Sequence, residues 1–254
     1  LIRDAKESGA DAAKFQIFEP DTLGRKIKKS YFTPDATIKK LKNYCKLLKI
    51  DFICSVFDYK SLMRVKKIGL KFIKIASSEV NNLELLKEIK KTKIPSILST
   101  GMSRNYEIRR AIKILKNPIL LHCVSLYPCS INKVNLNRMV KLKKTYKLIT
   151  GFSDHSKGID ACKIAIAKGA MVIEKHFTYN NNFKGPDHIH SSNKKELNNL
   201  VNFAKNYKFF LGNGKINPSK AELKIQKIAR KGMYFASDLE KGHKISKKDI
   251  LFLR

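Results

Sequence analysis

The chain has 254 residues, 43% of them hydrophobic, with 53 Lys and Arg against 21 Asp and Glu for a formal charge of +32. This length admits one large α/β domain or two small ones, and no stretch reaches the roughly 18 apolar residues of a membrane span, so we expect no membrane partner. The charge raises nucleic acid as a partner, but lysine supplies 44 of the cations and arginine 9, spread along every helical segment without interleaved aromatics; we read lysine as the default surface residue and expect no nucleic acid.

The opening LIRDAKESGA has no signal-peptide pattern and reads as the middle of an amphipathic helix ending at Gly9, so the sequence is expected to begin inside a domain. Apolar runs predict strands at residues 11–17, 50–56, 71–76, 96–100, 118–123, 148–153 and 171–177, with helical periodicity between them. Thr33 is expected to cap the helix before the second strand, with Pro34 at its first position, and Ser103 to cap the helix after the fourth. Helix, then Gly-X, then strand recurs at Gly9, Gly69 and Gly169. Asn193 and Glu196 predict a capping box for a helix running to about Phe210. Residues 211–231 read as a linker and 232–254 as the start of another small module. The five cysteines form no C-x-x-C pair and are expected to be reduced thiols in a cytoplasmic protein.

Strands alternating with helices at this spacing predict βαβ units and a parallel sheet. Seven strands are one short of a (β/α)₈ TIM barrel, so the expected fold over residues 1–210 is that barrel lacking its first strand, lost upstream of Leu1. A doubly wound open sheet is the rival, but no G-x-G-x-x-G follows the first strand.

Nearly every predicted strand ends in polar residues: Lys14 and Gln16; Lys74, Ser77 and Ser78; Ser99 and Thr100; Ser125 and Tyr127; Ser153, Asp154 and His155; Glu174 and His176. In a parallel barrel these ends form the active face, and a full ring of them is hard to explain as packing. Period 2 places Glu174 with His176 on one face of their strand, and Ser153 with His155 on one face of the preceding strand. Two imidazoles on neighbouring strands can share a divalent ion, Mn²⁺ first, with Mg²⁺ or Zn²⁺ as alternatives. Lys14 and Lys74 are either Schiff-base nucleophiles, as in aldolases, or fixed cations for phosphate and carboxylate; the serines around them favour anion binding. The backbone amides of "STG" and "SDHSKG" are further candidate anion donors.

The succession "AKFQ", "KIASSE", "ILSTGM", "LLHCVSLYP", "GFSDHS", "IEKHF" and "GPDH" resembles the sialic acid (N-acetylneuraminate) synthases and their legionaminate and pseudaminate relatives. The resemblance implies a metal-dependent condensation of phosphoenolpyruvate with an N-acetylated amino sugar such as N-acetylmannosamine, releasing phosphate. By position it implies His155 and His176 as metal ligands, and Lys74, Ser77, Ser99, Ser153 and Glu174 around phosphoenolpyruvate. Lys14, Gln16, Tyr127 and Asp187 would face the sugar, with Glu174, Lys74 and Lys14 as the catalytic set. Ser125 stands where many family members have Asn, which implies a weaker phosphate contact there. The family's first-strand catalytic Glu has no counterpart in this chain. The tail from Gly232 resembles the beginning of the family's antifreeze-like domain, and the full-length protein would be a homodimer. With both of those parts incomplete, the chain as it stands is expected to have little activity.

Overall fold

The apolar runs fold as seven strands that pair in sequence order, each parallel to the next, in a single sheet. In the computed structural model, which describes residues 1–19 and 32–254, α1 (Ile2–Glu7) leads into β1 (Ala12–Ile17), followed by α2 (Asp35–Leu47) and β2 (Asp51–Val56). The alternation continues with α3 (Tyr59–Lys66), β3 (Ile73–Ile75), α4 (Leu83–Lys91), β4 (Ser96–Ser99), α5 (Asn105–Leu115) and β5 (Ile119–Cys123). It ends with α6 (Asn137–Tyr146), β6 (Thr150–Asp154), α7 (Asp160–Ala167), β7 (Ile173–Lys175) and α8 (Lys194–Leu211).

Parallel partners share a face of the sheet, so the register sorts side chains into two sets. One face carries Cys54, Ile73, Ile75, Leu98 and Leu120, all buried against apolar residues of the surrounding helices such as Ile38, Leu62, Leu86, Ile89 and Ala111. A second cluster under the later strands joins Phe152 to Met139, Cys162, Ala165 and Ile166. The other face is polar along much of its length. Gln16, Ser55 and Lys74 are register partners in one row, and Cys123, Ser153 and Glu174 in another. The sheet curls about this polar face: Lys14 of the first strand and Glu174 of the last approach to 4.0 Å. Outside the curl, Lys194 at the start of α8 reaches Asp4 of α1 at 3.3 Å. The result is a curled, TIM-like α/β fold.

Several local expectations hold and several need correction. Gly9, Gly69 and Gly169 all adopt positive φ (88°, 73° and 88°), the left-handed conformation that ends a helix without a Cβ clash. Asn193 and Glu196 exchange bonds of 3.0 Å from backbone N–H to side-chain oxygen, a complete capping box. Thr33 does not cap α2; Pro34 occupies the N-cap, and the Thr33 carbonyl instead accepts from Arg64. Ser103 turns back to donate to the Gly101 carbonyl at 3.0 Å, leaving Arg104 at the N-cap of α5.

The chain divides into two units, Leu1–Phe210 and Leu211–Arg254. In the second, the stretch expected as a linker contains α9 (Lys220–Ala229), started by a Ser219–Glu222 capping box that the sequence displays and the linker reading overlooked. Beyond it β8 (Gly232–Phe235) pairs antiparallel with β9 (Ile250–Leu253), and both are exposed along nearly their whole length. Among the described residues no helix is long and apolar enough to cross a membrane.

Candidate active site at the C-terminal ends of the strands

The polar face gathers its charged groups around Glu174. Its Oε1 accepts from the Ser153 hydroxyl at 2.8 Å, while Oε2 lies 3.9 Å from Lys74 Nζ and 4.0 Å from Lys14 Nζ. Burial by itself would raise the Glu174 pKa, but Lys14, Lys74 and the Ser153 bond outweigh it and bring it down to about 2. Lys74 is buried to 3% exposure and donates to Ser99 Oγ at 2.7 Å and to the Ile75 carbonyl at 3.0 Å. Burial lowers its pKa, with Glu174 acting against that pull. Two ammonium groups around one carboxylate leave this cradle with an excess positive charge, suited to an incoming anion.

A second part of the cradle follows β3 and β4. Ser77 Oγ accepts from the Gly101 backbone N–H at 2.9 Å and lies 3.0 Å from Cys123 Sγ. A Cβ on Gly101 would fall 2.7 Å from Cys123 Sγ and 2.9 Å from Ser77 Oγ, and closer still to Ser125 Oγ, so only glycine fits there. Ser125 Oγ is buried with no hydrogen-bond partner of ordinary geometry among the described residues. Two of the "STG" and "SDHSKG" amides already have partners: Gly101 N–H is taken by Ser77 and Ser156 N–H by Asp154 at 2.8 Å. Both loops hold themselves together before any ligand arrives.

Behind the last two strands, on the face opposite Glu174, Lys175 pairs with Asp154 at 2.7 Å with both side chains almost fully buried. Asp154 also accepts from Ser156 Oγ at 2.7 Å and Cys162 Sγ at 3.2 Å. This saturated ion pair ties the end of β6 to the end of β7 and so fixes the histidines that follow each.

Those histidines meet. The rings of His155 and His176 lie on the same side of the sheet with centres 5.6 Å apart. His155 Nδ1 donates to the Val124 carbonyl at 2.9 Å, which leaves its Nε2 as the lone-pair nitrogen. Tyr127 packs over His155 with ring centres 4.2 Å apart. Burial lowers the pKa of His155, and that of His176 falls to about 4 despite the opposing Asp187 carboxylate, so both are neutral imidazoles near pH 7.

A third imidazole, overlooked in the sequence, joins them. His190 is fully buried, with its ring centre 5.0 Å from that of His176 and 6.3 Å from that of His155. Asp187, expected to face a sugar, lies 3.8 Å from His176 Nδ1 and 3.7 Å from His190 Nε2. Ligand atoms of His176, Asp187 and His190 all fall within 4.8 Å of one another, the spacing of a metal-holding set. His190 sits in a short turn after the last strand, where periodicity offers no handle; its only signal was a histidine in an otherwise polar loop. Ser55 was also missed, although period 2 on β2 places it beside Lys74. Gln16 shares its register row but remains exposed at the open edge of the sheet.

Known proteins resemble this chain in sequence and in fold. The NeuB family model matches residues 1–216. The chain is 37% identical to an N,N'-diacetyllegionaminic acid synthase of Legionella pneumophila over 283 aligned positions, which cover all of this chain and 80% of the relative. It is 31% identical to a pseudaminic acid synthase of Campylobacter jejuni, covering all of this chain and 81% of that one. The crystal structure of the N-acetylneuraminic acid (sialic acid) synthetase from Leptospira borgpetersenii in complex with citrate superposes with a TM-score of 0.81 at 34% identity, covering 89% of this chain and 83% of that one. The chain therefore belongs to the NeuB family, whose named relatives here make nonulosonic acids.

Proposed function

We propose that this protein condenses phosphoenolpyruvate with an N-acetylated hexosamine to form a nonulosonic acid and inorganic phosphate, on a (β/α)₈ barrel completed by one further strand. The observation that carries this reading is the position of Glu174, bonded to Ser153, near both Lys14 and Lys74, and two positions before His176 of the imidazole pair. Lys74, Ser99, Ser77 and Ser125 would bind the phosphate and carboxylate of phosphoenolpyruvate. Lys14, Gln16 and Tyr127, on the open side, would orient the amino sugar so that its aldehyde carbon meets the enol carbon.

A divalent cation held by His155 and His176, Mn²⁺ first, would supply Lewis-acid polarisation of the aldehyde oxygen. The donor set fits such an ion. With metal–nitrogen bonds of about 2.1 Å a ring centre stands about 3 Å from the ion, so rings 5.6 Å apart can share one. As the carbon–carbon bond forms, positive charge develops at the carbon bearing the phosphate. The ionised Glu174 is placed to stabilise it, and a carboxyl whose pKa is about 2 does so as a fixed charge rather than as a proton donor. Water then adds at that carbon, and the carbon–oxygen bond to phosphate breaks.

The test, on the chain extended at both ends, is phosphate release from phosphoenolpyruvate with Mn²⁺ and N-acetylmannosamine or other 2-acetamido hexoses as acceptors. Release that requires both acceptor and metal is expected; release with no such sugar would overturn the assignment. A Schiff-base aldolase is the second reading, favoured by one observation, the buried Lys74 with its lowered pKa. It requires borohydride trapping of substrate on Lys74 and indifference to chelators, whereas the condensation requires neither trapping nor tolerance of EDTA.

A further inference from the structure

We propose that His190, together with Asp187, is a protein ligand to the cation assigned above to His155 and His176, so that the centre is closed on one side by the loop after β7. The inference rests on the metal reading of the proposed function and adds two groups to it. Its first support is a buried polar group without a partner. Both ring nitrogens of His190 are inaccessible and neither makes a hydrogen bond among the described residues, a state that proteins tolerate when something outside the protein completes the bonding.

The second support is convergence. His190 Nε2 and His176 Nδ1 stand on either side of the Asp187 carboxylate at 3.7 and 3.8 Å. Those separations are too long for hydrogen bonds. They match the spacing of about 3–4 Å that atoms keep when each lies about 2.1 Å from a common ion.

The loop that presents His190 is held from several sides. Ser192 N–H donates to the His176 carbonyl at 2.7 Å and Thr178 N–H to the Ser192 carbonyl at 2.9 Å, so the loop returns alongside the end of the last strand. Asn181 Nδ2 donates to the Ser191 carbonyl at 2.6 Å, and Ser191 Oγ to the Asp187 carbonyl at 2.7 Å. A ring on a loop held this firmly, with no hydrogen bond among the described residues, is prepared for a ligand. His176, Asp187 and His190 are the described residues whose ligand atoms all lie within 4.8 Å of one another, and added imidazole donors would move the site's preference toward nitrogen-favouring ions such as Co²⁺ and Zn²⁺.

The test titrates the full 254-residue chain with Co²⁺ alone and follows its visible absorption, then repeats this with His190→Gln, His190→Cys, His155→Gln and His176→Gln. We expect one bound ion, affinity at least about tenfold weaker in His190→Gln with an altered visible spectrum, and in His190→Cys a sulfur-to-cobalt charge-transfer band that the parent chain lacks. The new band is a positive signature that a purely structural histidine cannot produce, and it stands even if the Gln variant folds poorly. Unchanged affinity and spectrum in His190→Gln with no new band in His190→Cys would overturn the His190 assignment. If His155→Gln and His176→Gln lose the ion in that same experiment, the metal reading survives alone; if the parent chain binds no Co²⁺, both fall together.

Discussion

The two halves of the strand-end site are built on opposite principles. In the cradle around Glu174 each charged group already has an internal partner: Lys74 has Ser99 and the Ile75 carbonyl, and Glu174 has Ser153 and two ammonium groups. In the corner formed by His155, His176, Asp187 and His190 the rings approach one another closely, and His190 makes no hydrogen bond among the described residues. Opposite charges in the cradle can satisfy each other without a ligand. In the corner Asp187 stands 3.8 Å from His176 and 3.7 Å from His190, too far for hydrogen bonds, so the corner has room for a cation while the cradle only exchanges partners when an anion enters.

That contrast can be broken from the cradle side. The largest effect is expected for Lys74→Met, which removes the buried ammonium and leaves Glu174 with Lys14 alone; phosphate release should fall roughly 10²–10³-fold. Melting temperature should fall as well, because removing one partner of a buried ion pair leaves Glu174 with less compensation and takes the donor from Ser99 Oγ and the Ile75 carbonyl. Steady-state rates and a thermal melt on one preparation check both halves of this expectation.

An intermediate effect is expected in acid. The pKa of Glu174 is about 2 in the folded chain, below the ordinary carboxylate value of about 4.3. A depressed folded value means that this carboxylate stabilises the fold above its unfolded pKa, and that the contribution disappears as pH falls through the folded value. Between about pH 4 and pH 2 the parent chain should therefore lose stability more steeply than Glu174→Gln. Denaturant midpoints measured at several pH values compare the two slopes, and parallel curves would mean that the cradle is not internally paired.

The smallest effect is expected for Ser125→Ala. Ser125 Oγ is buried with no hydrogen-bond partner of ordinary geometry among the described residues, so its removal should leave stability within about 1 kcal/mol of the parent or slightly above it. The KM for phosphoenolpyruvate should rise while kcat stays nearly constant. A clear loss of stability would show that Ser125 is a packing group, and the cradle would then be satisfied throughout.

Much of this was legible before any coordinates. The seven strands, their parallel pairing and the polar ring at their ends follow from periodicity, because alternation of side chains is a local property of extended chain. Period 2 correctly put Glu174 opposite Lys175, and the structure uses both: one faces the cradle, the other is sealed against Asp154. Local capping rules were less dependable. Thr33 and Ser103 had the right chemistry for caps, but Arg64 fixes the Thr33 backbone carbonyl and the Ser103 hydroxyl turns to the Gly101 carbonyl, leaving Pro34 and Arg104 at the N-caps.

The amino-acid sequence by itself determined which residues share a face of each strand and which loops carry acids, bases and imidazoles, since those depend on neighbours in the chain. Only the tertiary structure decided that Lys14, from the first strand, stands beside Glu174 from the last, 160 positions away, and that His190 drops from a polar loop to beside His176. The reason is physical: curling of the sheet and return of the loop along β7 are set by packing and hydrogen bonds between distant segments, which no local periodicity records.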